Sequence, residues 1–304
     1  MEKIILENIN KRIIERGPSD VGILLRDINF KVHSGEIFAI AGMRGCGKSS
    51  VTKILFGLTY QDSGTFHYDK ASTGILIQEQ EFYENKTVFQ TMVMFAKLNK
   101  KHIRSSEIRN TLKAVGLYKR RKMRIKALSI NRCARLKIAL AIMARPSILI
   151  LDDPFSAIGP TEARHIRVIL KTLSERFGTA VLLTAPDFSG IEEIFDTVAI
   201  MDQGRIICIE SYNNLAKMTD KDSKICVTTP TPNMAATLIA EKFSYGVNLY
   251  GSNEVIVNAH PDKAKEIRDH LVLSNIEVTS MSRVTKSIEG LFHKLRTRNF
   301  GEDY

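Results

Sequence analysis

Eight consecutive residues near the N-terminus combine glycines, a lysine and a serine at a spacing that suits phosphate binding. They are Gly42, Met43, Arg44, Gly45, Cys46, Gly47, Lys48 and Ser49, and Ser50 follows them. Glycines let backbone N–H groups converge on phosphate oxygens at the start of a helix. The lysine adds a cation near the β- and γ-phosphates, and the Ser49 hydroxyl is a suitable magnesium ligand. The sequence therefore predicts that residues 42–50 bind ATP and Mg²⁺.

The segments on both sides of this loop have the patterns that a phosphate-binding P-loop requires. Residues 36–41 read as a buried strand, and residues 50–56 place apolar side chains at helical spacing. Strand, glycine loop and helix thus follow in the order of the motif. A glycine-rich turn that arose by chance is the alternative, and these flanking elements argue against it.

Two adjacent carboxylates form a second candidate site. Residues 148–151 read as an apolar strand, and Asp152 and Asp153 follow it directly. In P-loop ATPases a carboxylate at this edge of the sheet holds the magnesium ion, so we expect Asp152 to be a metal ligand together with Ser49. Asp153 then lies where a general base meets the attacking water. An acidic pair that only caps the next helix is the alternative.

The order of further motifs resembles the nucleotide-binding subunit of an ABC transporter over about residues 4–216. Beyond the P-loop, residues 78–88 resemble the Q-loop, 128–132 the signature, 156–159 the D-loop and 181–186 the strand before the switch histidine. The resemblance implies that Gln78 senses the metal ion and the water, so Gln78 is a candidate metal ligand and catalytic residue. It also implies that Ser129 of the signature contacts the phosphate of ATP held by a second ATPase subunit.

Several residues depart from the pattern of that family. Four replacements fall in the signature, the switch and the D-loop: Ile130 and Asn131 for two glycines, Pro186 for histidine and Gly159 for aspartate. Asp153 stands where the family has the longer glutamate. Residues 10–14 offer aliphatic side chains where the family stacks an aromatic ring on adenine. We expect ATP and Mg²⁺ to bind and hydrolysis to be slow, since losing one general base or donor costs on the order of a hundredfold in rate.

The pattern between the Q-loop and the signature predicts a helical subdomain over about residues 88–145. Residues 89–98 and 105–115 have helical spacing, the second with a serine cap at its start. In the family this subdomain receives the coupling helix of a membrane permease. The apolar stripe in the first helix is either part of the core, which we favour, or a docking groove; its members are Met92, Met94, Phe95 and Leu98.

The fold class is therefore α/β, a P-loop NTPase core with a helical subdomain, followed by a small α+β domain. We assign residues 1–216 to the first domain, which ends with a short helix over 188–195 and a hairpin over 197–208, and residues 217–304 to the second. The second domain alternates strands and helices over residues 224–228, 233–243, 254–258, 262–272, 276–280 and 287–295.

The end of the second domain carries a further likeness. Residues 287–292 read Ser-Ile-Glu-Gly-Leu-Phe, which resembles the C-terminal extension of ATPase subunits from drug and bacteriocin exporters. The resemblance tilts the expected substrate toward antimicrobial or other amphiphilic peptides.

Composition sets the expected location and partners. No apolar run is long enough to span a bilayer, so we expect a cytoplasmic protein that lies on the inner face of the cell membrane. Part of the formal charge of +11 is concentrated in residues 97–104 and, more densely, in residues 119–126. These runs are either solvated surface or a contact for anionic lipid or nucleic acid, and the lack of interleaved aromatic residues disfavours nucleic acid. The four cysteines lack metal-site spacing and are expected to be reduced.

The sequence thus predicts the ATP-binding subunit of an ABC exporter that works with a separate membrane permease and a second ATPase subunit, either identical or different. Two other functions stay open. One is a regulatory subunit that binds nucleotide with little or no ATPase activity. The other is a soluble ABC ATPase that acts on nucleic acid, although such relatives usually carry two cassettes and this chain has one P-loop.

Overall fold

The computed structural model describes residues 1–14, 21–98, 103–188, 190–221 and 224–284. The chain divides into two compact units, Met1–Tyr212 and Asn213–Tyr304. The boundary predicted after residue 216 lies within the helix Tyr212–Lys221. Among the described residues, every helix is too short or too polar to cross a lipid bilayer.

The first unit contains nine described strands and five described helices. The strands are β1 (Glu2–Ile14), β2 (Val21–His33), β3 (Ile37–Ala41), β4 (Ser63–Tyr68), β5 (Thr73–Leu76), β6 (Ile148–Leu151), β7 (Ala180–Ala185), β8 (Thr197–Asp202) and β9 (Arg205–Ser211). The helices are α1 (Lys48–Leu55), α2 (Val88–Leu98), α3 (Ser105–Ala114), α4 (Ile130–Ile142) and α5 (Pro160–Phe177). The helix α6 (Tyr212–Lys221) follows at the boundary.

Except for the signature, which lies at the start of α4, the predicted motifs follow neighbouring strands of one sheet. Its order is β5-β6-β7-β3-β8-β9, with parallel pairing from β5 to β8 and an antiparallel last strand. The Q-loop follows β5, the carboxylates follow β6, the switch segment follows β7 and the P-loop follows β3. Because parallel strands end at one edge of a sheet, this order gathers motifs that are far apart in sequence.

Burial explains why these strands read as continuous apolar runs. Every residue of β3, β6 and β7 is buried, as expected for parallel strands covered on both faces. A second, three-stranded sheet of order β2-β1-β4 packs into the same core. There Phe30 of β2 stacks on Phe38 of β3 with ring centroids 5.0 Å apart, which ties the two sheets together behind the P-loop.

The second unit has a four-stranded antiparallel sheet of order β11-β12-β10-β13. Its described elements are β10 (Lys224–Thr228), α7 (Pro232–Phe243), β11 (Val247–Tyr250), β12 (Glu254–Val257), α8 (Ala264–Leu273) and β13 (Ser280–Val284). Ile225 and Val227 of the central strand pack with Ile239 of α7 and Ile267 of α8 in a separate core. The predicted helix over 287–295, with its exporter-like segment, lies outside the described residues.

The hairpin predicted over 197–208 is confirmed. Asp202 of β8 pairs with Arg205 of β9. The two residues between them, Gln203 and Gly204, have φ of 43° and 74°, the positive values that a tight two-residue hairpin turn requires.

Two predictions in the first unit were wrong. Helix α3 is capped by Arg104 and not by Ser105: the Arg104 backbone N–H donates to Glu107 Oε2 at 2.8 Å, because the glutamate at the third position reaches back to the chain before the helix. The described part of 188–195 forms turns in place of a helix. Gly190 lowers helix propensity there, and the buried Phe188 and Phe195 shape the segment by packing.

Two predictions in the second unit also needed correction. The strand expected over 276–280 is displaced to Ser280–Val284, because the preceding residues end α8: Asn275 has φ of 59°, and the Ile276 N–H donates to Leu271 O at 2.9 Å. Strand β11 was missed, since three of its four residues are exposed and give no alternating pattern.

Candidate nucleotide-binding site

The P-loop connects β3 to α1 with a backbone that only glycine permits at two positions. A Cβ at Gly42 would lie 2.1 Å from Met201 O and 2.8 Å from Cys46 Sγ. Gly47 has φ of 107°, and a Cβ there would lie 2.9 Å from Leu25 Cδ2. The loop therefore wraps tightly on β8 and β2 and presents its backbone at the start of α1, which is the geometry of a phosphate site.

Lys48 is the cation of this loop, and its side chain is held inside the loop. The residue is buried, with 8% exposure. Its ammonium donates to Met43 O at 2.7 Å and also to Gly42 O, and it lies 3.6 Å from Cys46 Sγ. The two carbonyls replace water as partners of the buried Lys48 ammonium, which must lose water to contact a phosphate.

Asp152 is the centre of a short hydrogen-bonded chain behind the loop. Ser49 Oγ donates to Asp152 Oδ1 at 3.3 Å, and Thr184 Oγ1 of β7 donates to the same oxygen at 2.7 Å. Asp152 is 3% exposed, so these bonds fix a buried carboxylate. A hydroxyl and a carboxylate oxygen side by side are the donors that Mg²⁺ takes from protein, which supports the predicted metal ligands Ser49 and Asp152.

Asp153 combines a left-handed backbone conformation with a partly buried carboxylate. Its backbone has φ of 44°, and its N–H donates to Thr184 Oγ1 at 2.9 Å. Burial raises the pKa of the Asp153 carboxyl above its ordinary value, and the neighbouring Asp152 raises it further, against the opposite effects of Lys48, Ser156 and Arg44. A raised pKa suits a group that accepts a proton during catalysis.

A cleft of about 470 Å³ brings most of the predicted residues together. Its described lining is Leu24, Arg44, Gly45, Gly47, Lys48, Ser49, Ser50, Gln78, Asp153, Thr184 and Pro186. Gly42, Met43, Cys46 and Asp152 are not among the described residues that line it; Gly42, Cys46 and Asp152 are buried. The cleft thus unites four motifs that the sequence separates: the P-loop, the Q-loop, the carboxylate pair and the switch segment.

Gln78 and the residue after it are each held by a lysine from a different helix. Its backbone carbonyl accepts a hydrogen bond from the Lys137 ammonium of α4, and burial lowers the pKa of Lys137. The next residue, Glu79, accepts from Lys53 of α1 at 3.2 Å. The Q-loop is therefore attached both to the helix that follows the P-loop and to the helix that follows the signature.

The signature residues do not join the cleft within this chain. Ser129 is the exposed residue before α4, and Ile130, its first residue, is 78% exposed. Asn131 packs beside the D-loop, where a Cβ at Gly159 would lie 3.4 Å from Asn131 Nδ2 and 3.0 Å from Glu162 Oε2. Two departures from the family pattern are thus neighbours, since the absence of a side chain at Gly159 leaves room for the larger residue at 131.

Sequence reasoning missed three residues of this site. Leu24 of β2 forms an aliphatic wall of the cleft, whereas the family pattern indicated residues 10–14 as the position of the adenine contact. Thr184 links the two aspartates, and its only signal was a hydroxyl in a buried apolar strand. Lys137 gave no signal, because a lysine on a predicted amphipathic helix is ordinarily solvated.

Comparison with known proteins identifies the domain that contains the cleft. Residues 25–156 match the family model described as ABC transporter. The chain carries an ABC transporter ATP-binding domain. The uncharacterized ABC transporter ATP-binding protein YdbJ of Bacillus subtilis (strain 168) is 28% identical over 90% of this chain and 91% of its own length. The bacitracin transport ATP-binding protein BcrA of Enterococcus faecalis is 25% identical over 97% of both chains.

A solved structure supports the fold of this domain. A dimeric structure described as a post-hydrolysis state of the ATP-binding cassette MJ0796, bound to ADP and Pi, superposes with a TM-score of 0.63. The match covers 69% of this chain and 98% of the cassette at 19% identity. At this identity the likeness shows the fold, which is the α/β P-loop NTPase fold of ABC ATPase cassettes.

Proposed function

We propose that this chain is the ATP-binding subunit of an ABC exporter, and that it couples ATP binding and slow ATP hydrolysis to export through a separate membrane permease. The observation that carries the proposal is the single cleft in which Lys48, Ser49, Gln78 and Asp153 meet, with Asp152 buried behind Ser49. Each of these side chains has the chemistry that its place in the cleft requires.

The proposal assigns one role to each residue of the cleft. The N-terminus of α1 and Lys48 bind the phosphates of ATP. Ser49 and Asp152 hold Mg²⁺, which supplies charge neutralisation at the phosphate oxygens when it is bound. Thr184 keeps the Asp152 carboxylate turned toward Ser49. Asp153 takes a proton from the attacking water, and Gln78, which lines the same cleft, orients that water.

The same cleft supports a reduced rate of hydrolysis. Pro186 lines the cleft beside Lys48 and Asp153 and has no side-chain donor for a phosphate oxygen. The side chain of Asp153 is one methylene shorter than the glutamate of the family, and its positive φ fixes the direction in which that side chain leaves the backbone. Loss of one donor or of a well-placed base costs on the order of a hundredfold in rate.

A second cleft supports the proposed contact with the permease. Its volume is about 590 Å³, and Phe95 of α2 lines it together with Ile77 and Gln80 of the Q-loop and Leu140 of α4. The stripe predicted on α2 therefore divides: Met92 is buried core, whereas Phe95 faces this groove and Leu98 is 67% exposed. An amphipathic coupling helix from the permease fits such a groove.

We favour a second ATPase subunit that differs from this chain and has intact motifs. In an ABC dimer each signature faces the P-loop of the other subunit, and two identical copies of this chain would place Ile130 and Asn131 at both sites. The side chain of Ile130 projects from the exposed start of α4, where a β-branched residue takes the space that a phosphate needs. A second ATPase subunit whose signature keeps both glycines would place an intact signature opposite the P-loop of this chain.

The export role and the substrate class rest on the relatives. BcrA is described as a bacitracin transport ATP-binding protein, and its match extends over both units of this chain. We extend this to an antimicrobial or other amphiphilic peptide as substrate, and to a position on the cytoplasmic face of the membrane next to the permease.

The proposed rate limit is tested by lengthening the base. The Asp153→Glu variant of the chain, purified with its permease, should hydrolyse ATP about tenfold or more faster than the parent, because the carboxylate reaches the water. Asp153→Asn, which keeps the side-chain size and tolerates positive φ, should lose turnover while ATP binding stays. Equal turnover in Asp153→Glu and the parent would show that Asp153 is not the limiting residue.

A further inference from the structure

One segment of the first unit is strongly basic and lies outside both clefts. Residues 119–126, here called the basic segment, contain six lysines and arginines among eight residues. Between residues 108 and 151 the chain has twelve lysines and arginines and no aspartate or glutamate, so no carboxylate of this stretch offsets the charge. In the described part of the chain no salt bridge joins the basic segment to a carboxylate.

The basic segment is held in a fixed conformation by the start of α2. The N–H groups of Val88 and Phe89 donate to Met123 O at 3.0 Å and Arg121 O at 2.9 Å. In the other direction the Ile125 N–H donates to Lys86 O at 2.9 Å. Ile125 is buried, whereas Lys119, Arg120, Lys122, Arg124 and Lys126 are exposed. The cations are therefore presented on an ordered backbone, and little backbone conformational entropy is lost when they bind.

The aromatic residue beside the basic segment is covered. Arg121 lies over the Tyr118 ring at 4.3 Å from its centroid, and Lys113 lies over it at 5.3 Å. A ring covered by two cations does not offer a face to a nucleic-acid base, and the segment has no other aromatic side chain. The charge of the segment therefore suits a surface of anionic groups better than an RNA strand.

We propose that the basic segment is a contact site for the anionic phospholipid headgroups of a membrane bilayer. The basic segment is hydrogen-bonded to the start of helix α2, which also carries Phe95 of the second cleft. This step rests on the proposed function, in which a permease fills that cleft. The permease would then bring the basic segment close to the bilayer. Lysines and arginines near an anionic membrane surface each strengthen binding about fivefold. Loss of three of them is therefore expected to weaken binding by on the order of a hundredfold.

The test uses the full chain and vesicles without any permease. Co-sedimentation is measured with vesicles of phosphatidylcholine alone and of phosphatidylcholine mixed with phosphatidylglycerol. The test variant is Lys119→Gln, Arg120→Gln and Lys122→Gln together. The matched control is Arg164→Gln, Lys171→Gln and Arg176→Gln on α5, which removes the same charge from another surface of the first unit.

We expect the parent chain to bind the mixed vesicles only. The test variant should bind them with about a hundredfold lower affinity, and the control variant should keep the affinity of the parent. Equal loss in both variants would overturn the proposal, since net charge alone would then explain binding. Tighter binding to single-stranded RNA than to the mixed vesicles, lost in the test variant, would assign the segment to nucleic acid and also overturn it. ATP turnover of the test variant with the permease in detergent reports on the proposed function separately, and it should equal that of the parent.

Discussion

Replacement of Thr184 by valine tests the hydrogen-bonded chain that positions the two aspartates. Valine has nearly the same shape, so the change replaces only the hydroxyl by a methyl group. Thr184 Oγ1 donates to the buried Asp152 carboxylate at 2.7 Å and accepts from the Asp153 N–H at 2.9 Å. A hydrogen bond to a charged group contributes about 1.5–3 kcal/mol, and a buried donor left without a partner costs about 1–3 kcal/mol.

These two effects predict that Thr184→Val lowers the free energy of unfolding of the first unit by about 3 kcal/mol. For a unit of this size, 1 kcal/mol shifts the thermal midpoint by about 2–4 °C, so a decrease of about 6–12 °C is expected. Thermal unfolding followed by intrinsic tyrosine fluorescence and by calorimetry measures it. The matched control is Thr172→Val, because the Thr172 hydroxyl donates at 2.7 Å to Val168 O on the partly exposed α5.

The control should change stability by no more than about 0.5 kcal/mol, as exposed substitutions usually do. The reasoning fails if Thr184→Val and Thr172→Val shift the midpoint equally. It also fails if Thr184→Val is neutral and leaves the affinity for Mg²⁺-ATP unchanged, because the Asp152 carboxylate would then keep its position without the threonine.

Three further predictions concern single residues in the cleft or in the segments that form it. Because the pKa of Asp153 is raised above 3.8 by burial and by Asp152, the native state binds more protons than the unfolded chain just above that pH, and the free energy of unfolding falls as pH rises through this interval. The free energy of unfolding of Asp153→Asn minus that of the parent should therefore increase as pH rises from 3.8 through the raised pKa of Asp153, and it should stay constant above that pKa. Urea titrations at several pH values measure this difference. Lys137→Met should speed hydrogen exchange at residues 77–80, whereas Lys137→Arg should protect them, since the cation holds Gln78 O. Gly42→Ala should abolish binding of a fluorescent ATP analogue, because its Cβ would lie 2.1 Å from a backbone oxygen.

Much of the fold could be predicted because its signals are local. The strands β3, β6 and β7 are buried on both faces and read as apolar runs, and the glycines and carboxylates after them identify the edge of the sheet where they end. The hairpin of β8 and β9 was equally readable from its turn. Strand β11 was not, because it is short and mostly exposed, and its place in the sheet depends on pairing with β12.

The residues of the site that could not be predicted from the sequence depend on contacts between distant segments. Thr184 is important because Asp152, more than thirty residues away, ends the adjacent strand. Lys137 acts on Gln78 across a separation of 59 residues. Single-residue patterns do not report such pairs, since each residue alone is typical of its own strand or helix. The neighbouring positions of Asn131 and Gly159 likewise became visible only in the folded chain.

The central claim is that this cleft still hydrolyses ATP, slowly, to drive a permease. ATP turnover by the chain, alone and co-purified with its membrane partner, tests it most directly beside Lys48→Ala, which removes the P-loop cation. The account predicts slow phosphate release that rises with the partner and disappears in Lys48→Ala. Tight ATP binding with phosphate release no higher than in Lys48→Ala would contradict it, and hydrolysis would then belong to another subunit.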